Sequence, residues 1–151
     1  MAAHRVCYVV IGGVAATLYG SPSLTGDLDV CYERSRPNVQ ALAAALTELH
    51  ATLRGVDPGL PFRLDAKALE LGDSFTFSTD AGDFDCLGTP AGTSGYVDLI
   101  RQATEFEVGG IDVSVSSLDD LMRMKQAAGR PKDKLELEIL GALRDEIDEE
   151  G

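Results

Sequence analysis

The chain has 151 residues, of which 44% are hydrophobic and 25% charged, and its formal net charge is −12. These values are typical of one globular domain spanning residues 1–151. The acidic excess excludes binding to nucleic acid through the general charge of the protein, so any contact with RNA would need a local basic patch. No apolar run approaches the ~20 residues of a membrane helix, and the first residues lack the pattern of a signal peptide. We therefore expect a cytoplasmic protein that does not enter a membrane.

The first predicted elements are a buried strand and a short helix, separated by two glycines. Residues 5–11 are rich in valine and isoleucine, Gly12 and Gly13 follow, and residues 14–19 favour a helix. A glycine pair in this position lets a phosphate approach backbone N–H groups and the positive end of the helix. The pair taken alone is also typical of a tight turn that binds nothing.

Two aspartates mark the start of the second predicted strand, residues 27–32. Asp27 and Asp29 are separated by one apolar residue, so their side chains point to the same face of the strand. Mg²⁺ prefers oxygen ligands and typically takes one or two carboxylates together with substrate phosphates. The alternative is a solvated pair at the end of a strand, but the glycine pair upstream favours a site for a nucleoside triphosphate and a divalent metal.

The rest of the chain predicts an α/β (α+β) fold, with a small mixed β-sheet and helices packed on it. Apolar residues at three- and four-residue spacing predict an amphipathic helix over residues 38–53. A short helix is expected over residues 96–103. Two hairpins with glycine turns are also predicted, from residues 75–78 with 83–87 and from residues 106–108 with 111–115.

A second pair of aspartates, Asp83 and Asp85, has the same spacing as the first. If their strand lies beside the strand of Asp27 and Asp29, one of them could complete a site of three carboxylates. Such a site could hold two metals about 3.5–4 Å apart, which would stabilise the attacking and leaving oxygens of a displacement. The spacing does not say which of the two aspartates would take part.

The C-terminal part, about residues 117–149, is predicted to be helical. Ser117 is a suitable N-cap and Pro131 interrupts the pattern, so two helices are expected. Lys125 lies on the apolar face of the first helix, where burying an unpaired ammonium group is costly. Its side chain therefore either extends to solvent or reaches an anionic site.

The segment around Lys125 is the only dense basic segment in this acidic chain. Its other basic residues are Arg123, Arg130, Lys132 and Lys134. They could meet phosphates, or they could form the solvated boundary of two helices, with Asp133 pairing with one of them.

Taken together, these motifs resemble the nucleotidyltransferase superfamily that shares a core with DNA polymerase β. The resemblance is closest to small bacterial nucleotidyltransferase-like domains, including AbiEii-type toxins. It rests on a strand that ends in Gly12-Gly13, on Thr25-Gly26-Asp27-Leu28-Asp29, on Phe84-Asp85 and on residues 117–125 and 129–133. It covers most of the chain and implies a nucleotidyltransferase-like core followed by C-terminal helices.

The resemblance implies a role for each residue that matches a motif. Asp27, Asp29 and Asp85 would bind Mg²⁺ or Mn²⁺, and Asp85 would also be a candidate base for the attacking hydroxyl. Gly12 and Gly13 would hold the triphosphate. Two residues of the late segment complete the set: Lys125 would contact the nucleotide or its phosphates, and Asp133 would face the active site or orient its helix.

The implied activity is transfer of a nucleoside monophosphate from a nucleoside triphosphate to an acceptor. The acceptor would be RNA such as a tRNA end, a protein side chain or a small molecule, and the protein could be a toxin with an antitoxin partner. An inactive nucleotide-binding or protein-interaction module is the alternative. Gly13 and Ser23 motivate it, because many relatives carry serine and arginine at these positions, whereas the retained aspartates argue against it.

Overall fold

The computed structural model describes residues 5–21, 27–54, 65–129 and 131–150, the last range without the side chains of 132, 133 and 148–150. The described strands form one mixed seven-stranded sheet. In chain order they are β1 (Tyr8–Ile11), β2 (Asp27–Tyr32), β3 (Thr52–Leu53), β4 (Ser74–Thr79), β5 (Gly82–Leu87), β6 (Thr104–Val108) and β7 (Ile111–Val115). Their order across the sheet is β3-β4-β5-β2-β1-β7-β6.

The helices of the described ranges complete the predicted α/β (α+β) architecture, which is confirmed. They are α1 (Gly12–Leu18), α2 (Arg36–Glu48), α3 (Ala66–Leu71), α4 (Tyr96–Ile100), α5 (Leu118–Ala128) and α6 (Pro131–Glu150). The Ser117 hydroxyl caps α5 as predicted, because it accepts a hydrogen bond from the Asp120 N–H at 3.1 Å. Among these helices, none combines the length and apolar character that a membrane crossing requires.

Strand β2 lies in the middle of the sheet, between β1 and β5. Val30, Cys31 and Tyr32 are fully buried at successive positions, so this half of the strand is covered on both faces. The other half, which carries Asp27 and Asp29, is only half-buried. The two carboxylates therefore lie at the margin of the hydrophobic core, on a strand that the core holds in place.

The long helix α2 ends at Glu48, and the prediction that it continues to Leu53 is wrong. His50 has a φ of +54°, a left-handed conformation in which a helix does not continue. The chain then forms β3, where Leu53 pairs with Phe77 of β4. Leucine spacing alone could not reveal this change, because Leu53 is apolar and packs against the core in either structure. The consequence is that Arg54 follows a strand at the edge of the sheet.

Two smaller differences concern short helices. Helix α3 is not predicted by the sequence pattern. It begins after Asp65, whose side chain accepts a hydrogen bond from the Ala68 N–H at 2.9 Å. Helix α4 ends at Ile100 rather than at residue 103. Both helices are of six residues or fewer, too short for apolar periodicity to define their ends.

The buried side chain of Asn38 ties the start of β1 to the end of β2. Its Oδ1 accepts from the Cys7 N–H at 2.6 Å, and its Nδ2 donates to the carbonyls of Cys7 at 2.9 Å and Glu33 at 2.7 Å. Cys7 precedes β1 and Glu33 follows β2, so these bonds support the antiparallel register in which Ile11 lies opposite Asp29.

Replacing Asn38 with leucine should lower the free energy of unfolding by about 2–3 kcal/mol, because the three hydrogen bonds between this buried side chain and the backbone are lost. Urea denaturation measures the change. Gln40→Ala, at an exposed position of the same helix, is the control and should change stability by less than about 0.5 kcal/mol. A loss for Asn38→Leu no larger than that of the control would contradict the anchoring role.

Candidate active site

Four aspartates of β2 and β5 lie in two cross-strand pairs. The strands run parallel, with Asp27 opposite Asp83 and Asp29 opposite Asp85. Because alternate residues of a strand share a face, all four side chains lie on the same face of the sheet. The sequence left open whether these strands are neighbours, and the structure places them side by side.

The half-buried carboxyl of Asp29 is strongly affected by the neighbouring aspartates. Desolvation, a hydrogen bond with Asp85 and the negative charges of Asp85 and Asp27 raise the pKa of Asp29 to about 7, against the opposing effect of Lys125. Negative charge is therefore costly at this position in the absence of a nearby cation. A cation bound here would be stabilised by the same concentration of negative charge.

Gly12 begins helix α1 directly against Asp29. It has a φ of +69°, which glycine adopts without a steric cost. A β-carbon at this position would also overlap the Asp29 carboxylate. Gly13 is the next residue of the first helical turn, whose backbone N–H groups have no partners within the helix. The predicted phosphate-binding glycines are thus next to the predicted metal ligands.

Lys125 of α5 pairs with a carboxylate of the neighbouring helix, and its contact with nucleotide phosphates stays a prediction. Its Nζ is 2.5 Å from Oε2 of Glu136 in α6, and the lysine side chain is only 18% exposed. Its positive charge also lowers the pKa of Asp29. The helical hairpin therefore brings a positive charge towards the carboxylates of the sheet.

Arg54 is the member of the cluster that the sequence analysis missed. Its guanidinium contacts Asp85 through Nη2, and its Nη1 is 3.2 Å from Asp83 and 3.8 Å from Asp27. Desolvation lowers the pKa of Arg54, but the charges of Asp85, Asp83 and Asp27 outweigh this and raise it. No local signal could have identified Arg54, because the pattern assigned the preceding residues to a helix.

The basic segment is described only in part. Nη2 of Arg123 is 3.1 Å from carboxylate oxygens of both Asp98 and Asp120, so Arg123 takes part in ion pairs within the protein. Arg130 and the side chains of Lys132 and Asp133 lie outside the described residues. The role predicted for Asp133 therefore stays a prediction, as do the contributions of Ser23 and of Thr25-Gly26, which lie outside the described ranges.

The aspartates have the chemistry of a site for a hard cation. Carboxylate oxygens suit Mg²⁺ and Mn²⁺, and the raised pKa of Asp29 marks a concentration of negative charge. In the described parts of the chain, no three His, Cys, Asp or Glu side chains are gathered so as to hold a metal as they stand. The chemistry of these oxygen donors suits the cation, but in their present arrangement Arg54 contacts three of the four aspartates.

Comparison with known proteins identifies the fold. No family model and no curated protein matches the chain. The lincomycin-bound crystal structure of the lincosamide antibiotic adenylyltransferase LnuA matches with a TM-score of 0.63 at 13% identity, over 94% of this chain and 90% of that one. A candidate nucleotidyltransferase of Thermotoga maritima matches with a TM-score of 0.56 at 17% identity, over 96% and 84% of the two chains. The chain has the nucleotidyltransferase-like fold that its motifs predict.

Asp29→Asn should stabilise the metal-free protein at alkaline pH and have little effect in acid. Between the ordinary carboxyl pKa of 3.8 and about 7, the folded protein keeps a proton that the unfolded chain releases. Stability therefore falls as the pH rises through this window, and the loss persists above it. The neutral asparagine does not suffer this loss.

Thermal denaturation in EDTA tests this prediction at about pH 8.5, above the window, and at about pH 4, near its lower end. The melting temperature of Asp29→Asn should exceed that of the wild type at the higher pH only. Asp112→Asn, at an exposed position of β7, controls for the loss of one negative charge. An equal gain at both pH values would contradict the electrostatic origin.

Proposed function

From this fold and the geometry of the four aspartates, we propose that the protein is a metal-dependent nucleotidyltransferase. It transfers a nucleoside monophosphate from a nucleoside triphosphate to an acceptor hydroxyl and releases pyrophosphate. The observation that carries the proposal is the pairing of Asp29 with Asp85 immediately beside Gly12 of α1. Catalysis of phosphoryl transfer depends mainly on positioning and on neutralising charge, which such a cluster can support.

Each predicted residue has a distinct part in this proposal. Asp27, Asp29 and Asp85 are the proposed ligands of Mg²⁺ or Mn²⁺, which when bound neutralises charge on the triphosphate and on the attacking oxygen. Asp85 accepts the proton of the acceptor hydroxyl. The hydroxyl oxygen bonds to the α-phosphorus, and the bond from this phosphorus to pyrophosphate breaks. Gly12 and Gly13 offer backbone N–H groups to the triphosphate.

Lys125 is the proposed side-chain contact to the nucleotide phosphates. Its ion pair with Glu136 fixes the ammonium group, and its positive charge lowers the pKa of Asp29, so it lies within electrostatic range of that carboxyl. A triphosphate held beside Asp29 would lie in the same field. A positive charge in this place would lower the cost of bringing the polyanionic nucleotide to an acidic protein.

A small-molecule hydroxyl is the acceptor that these observations favour. The lincosamide antibiotic adenylyltransferase LnuA matches 94% of this chain. A net charge of −12 disfavours RNA as acceptor. Arg123, from the basic segment that RNA would need, is engaged by Asp98 and Asp120. Transfer to RNA or to protein is the alternative outcome of the test. The toxin role and an antitoxin partner depend on that outcome.

Label transfer from each of the four α-labelled nucleoside triphosphates tests the proposal. The protein is incubated with Mg²⁺ and, separately, with lincomycin and other hydroxyl-bearing antibiotics, total RNA or total protein. We expect label in the small-molecule pool, lost in the Asp27→Ala/Asp29→Ala double variant. Label in RNA or protein would overturn the choice of acceptor. Metal-dependent nucleotide binding without transfer into any pool would favour the inactive nucleotide-binding module.

The two aspartates of β5 should differ in their effect on transfer. Asp85 lies opposite Asp29, whose pKa is raised to about 7. Asp85→Asn should therefore lower kcat by at least about 100-fold, because a metal ligand and base is lost. Asp83→Asn is the matched control on the same strand face and should retain most of the activity. Steady-state kinetics measures both variants. Equal losses would contradict the assignment of Asp85 over Asp83.

A further inference from the structure

The guanidinium of Arg54 lies where three carboxylates of the cluster meet. Nη2 contacts Asp85, whereas Nη1 faces Asp83 at 3.2 Å and Asp27 at 3.8 Å. Two of these carboxylates, those of Asp27 and Asp85, belong to the proposed metal ligands. A positively charged side chain thus already contacts two of the three carboxylates that would hold a divalent ion.

The arrangement lacks a feature expected of a permanent structural ion pair. Nε of Arg54 is buried and has no hydrogen-bond partner, whereas buried donors of stable protein networks are generally satisfied. The planar guanidinium suits bidentate contact with a single carboxylate, but here its Nη atoms are shared among three. Arg54 therefore neutralises charge without being fully satisfied by its surroundings.

The position of Arg54 allows its side chain to leave while the sheet stays intact. Its backbone N–H donates to the Thr76 carbonyl at 2.9 Å, which extends the edge pairing of β3 with β4. The side chain crosses from this edge strand to the aspartates of β5 and β2. Rotation about its several side-chain bonds would withdraw the charge with no change in the pairing of the strands.

We propose that Arg54 is an internal counter-cation of the active-site aspartates, which competes with the divalent metal and must be displaced before the metal is held. This inference rests on the proposed function, because it assumes that Asp27, Asp29 and Asp85 are the metal ligands. In the metal-free protein Arg54 limits the repulsion among the aspartates. The same contact weakens the apparent affinity for the metal, since only the fraction of molecules with Arg54 displaced is competent to bind.

Binding of Mn²⁺, followed by the electron paramagnetic resonance signal of the free ion, tests the competition without measuring catalysis. Arg54→Met removes the charge and keeps a long side chain, so it should bind Mn²⁺ about tenfold more tightly than the wild type. Arg144→Met removes an exposed arginine that pairs with Asp119. It controls for the more negative overall charge and should leave the affinity unchanged within about twofold.

The Asp27→Asn/Asp29→Asn variant separates this proposal from the proposed function. If the wild type binds Mn²⁺ and this variant does not, the metal binds at Asp27 and Asp29 as proposed. Equal affinities of Arg54→Met and the wild type would then overturn the competition alone. If removing the two aspartates leaves Mn²⁺ binding unchanged, the assumed ligands are wrong and both proposals fail.

Thermal denaturation gives a second measurement of the competition and shows whether the variant folds. In EDTA, Arg54→Met should melt at a lower temperature than the wild type. Saturating Mn²⁺ should raise the melting temperature of Arg54→Met by more than it raises that of the wild type. Should this variant not fold, Arg54→Gln, which is also uncharged but keeps hydrogen-bond donors for the carboxylates, replaces it in both experiments. An Mn²⁺-induced shift in the uncharged variant no larger than that of the wild type would contradict the competition.

Discussion

The parallel register of β2 with β5 is the constraint on which the rest of the site depends. It sets Asp29 opposite Asp85, and like charges directly opposite each other destabilise a sheet. The register cannot slip to relieve this repulsion, because Val30, Cys31 and Tyr32 continue β2 into the core and are fully buried. Packing of the apolar half of the strand thus holds the carboxylates of the other half together.

Two basic side chains from distant parts of the chain offset this negative charge. Arg54 follows the edge strand β3 and contacts Asp85 directly. Lys125 comes from α5, is fixed by Glu136 of α6 and acts on Asp29 through its charge. The cluster therefore joins the edge of the sheet and the C-terminal helices to the central strands. The balance of charge there is a property of the whole fold rather than of any one motif.

This balance of charge bears on the proposed substrate, a nucleotide that would arrive together with a metal. The protein carries a net charge of −12, so an anionic nucleotide needs local positive charge to approach the aspartates. Gly12 allows the first turn of α1 to lie directly against Asp29, since a β-carbon at this position would overlap the Asp29 carboxylate. A divalent cation and a triphosphate would each reduce the electrostatic cost of placing the other, which is the basis of the proposed activity.

The sequence by itself determined the elements that depend on neighbouring residues: the strand from Asp27 to Tyr32, the shared face of its aspartates, the two hairpins and the cap of α5. Alternation, turn chemistry and capping act over a few residues, so they can be recognised without the fold. Only the tertiary structure decided that Asp85 lies beside Asp29, because the order of strands depends on packing between distant segments. It alone placed Arg54, since pairing with β4 made Leu53 part of a strand although its spacing equally suited a helix.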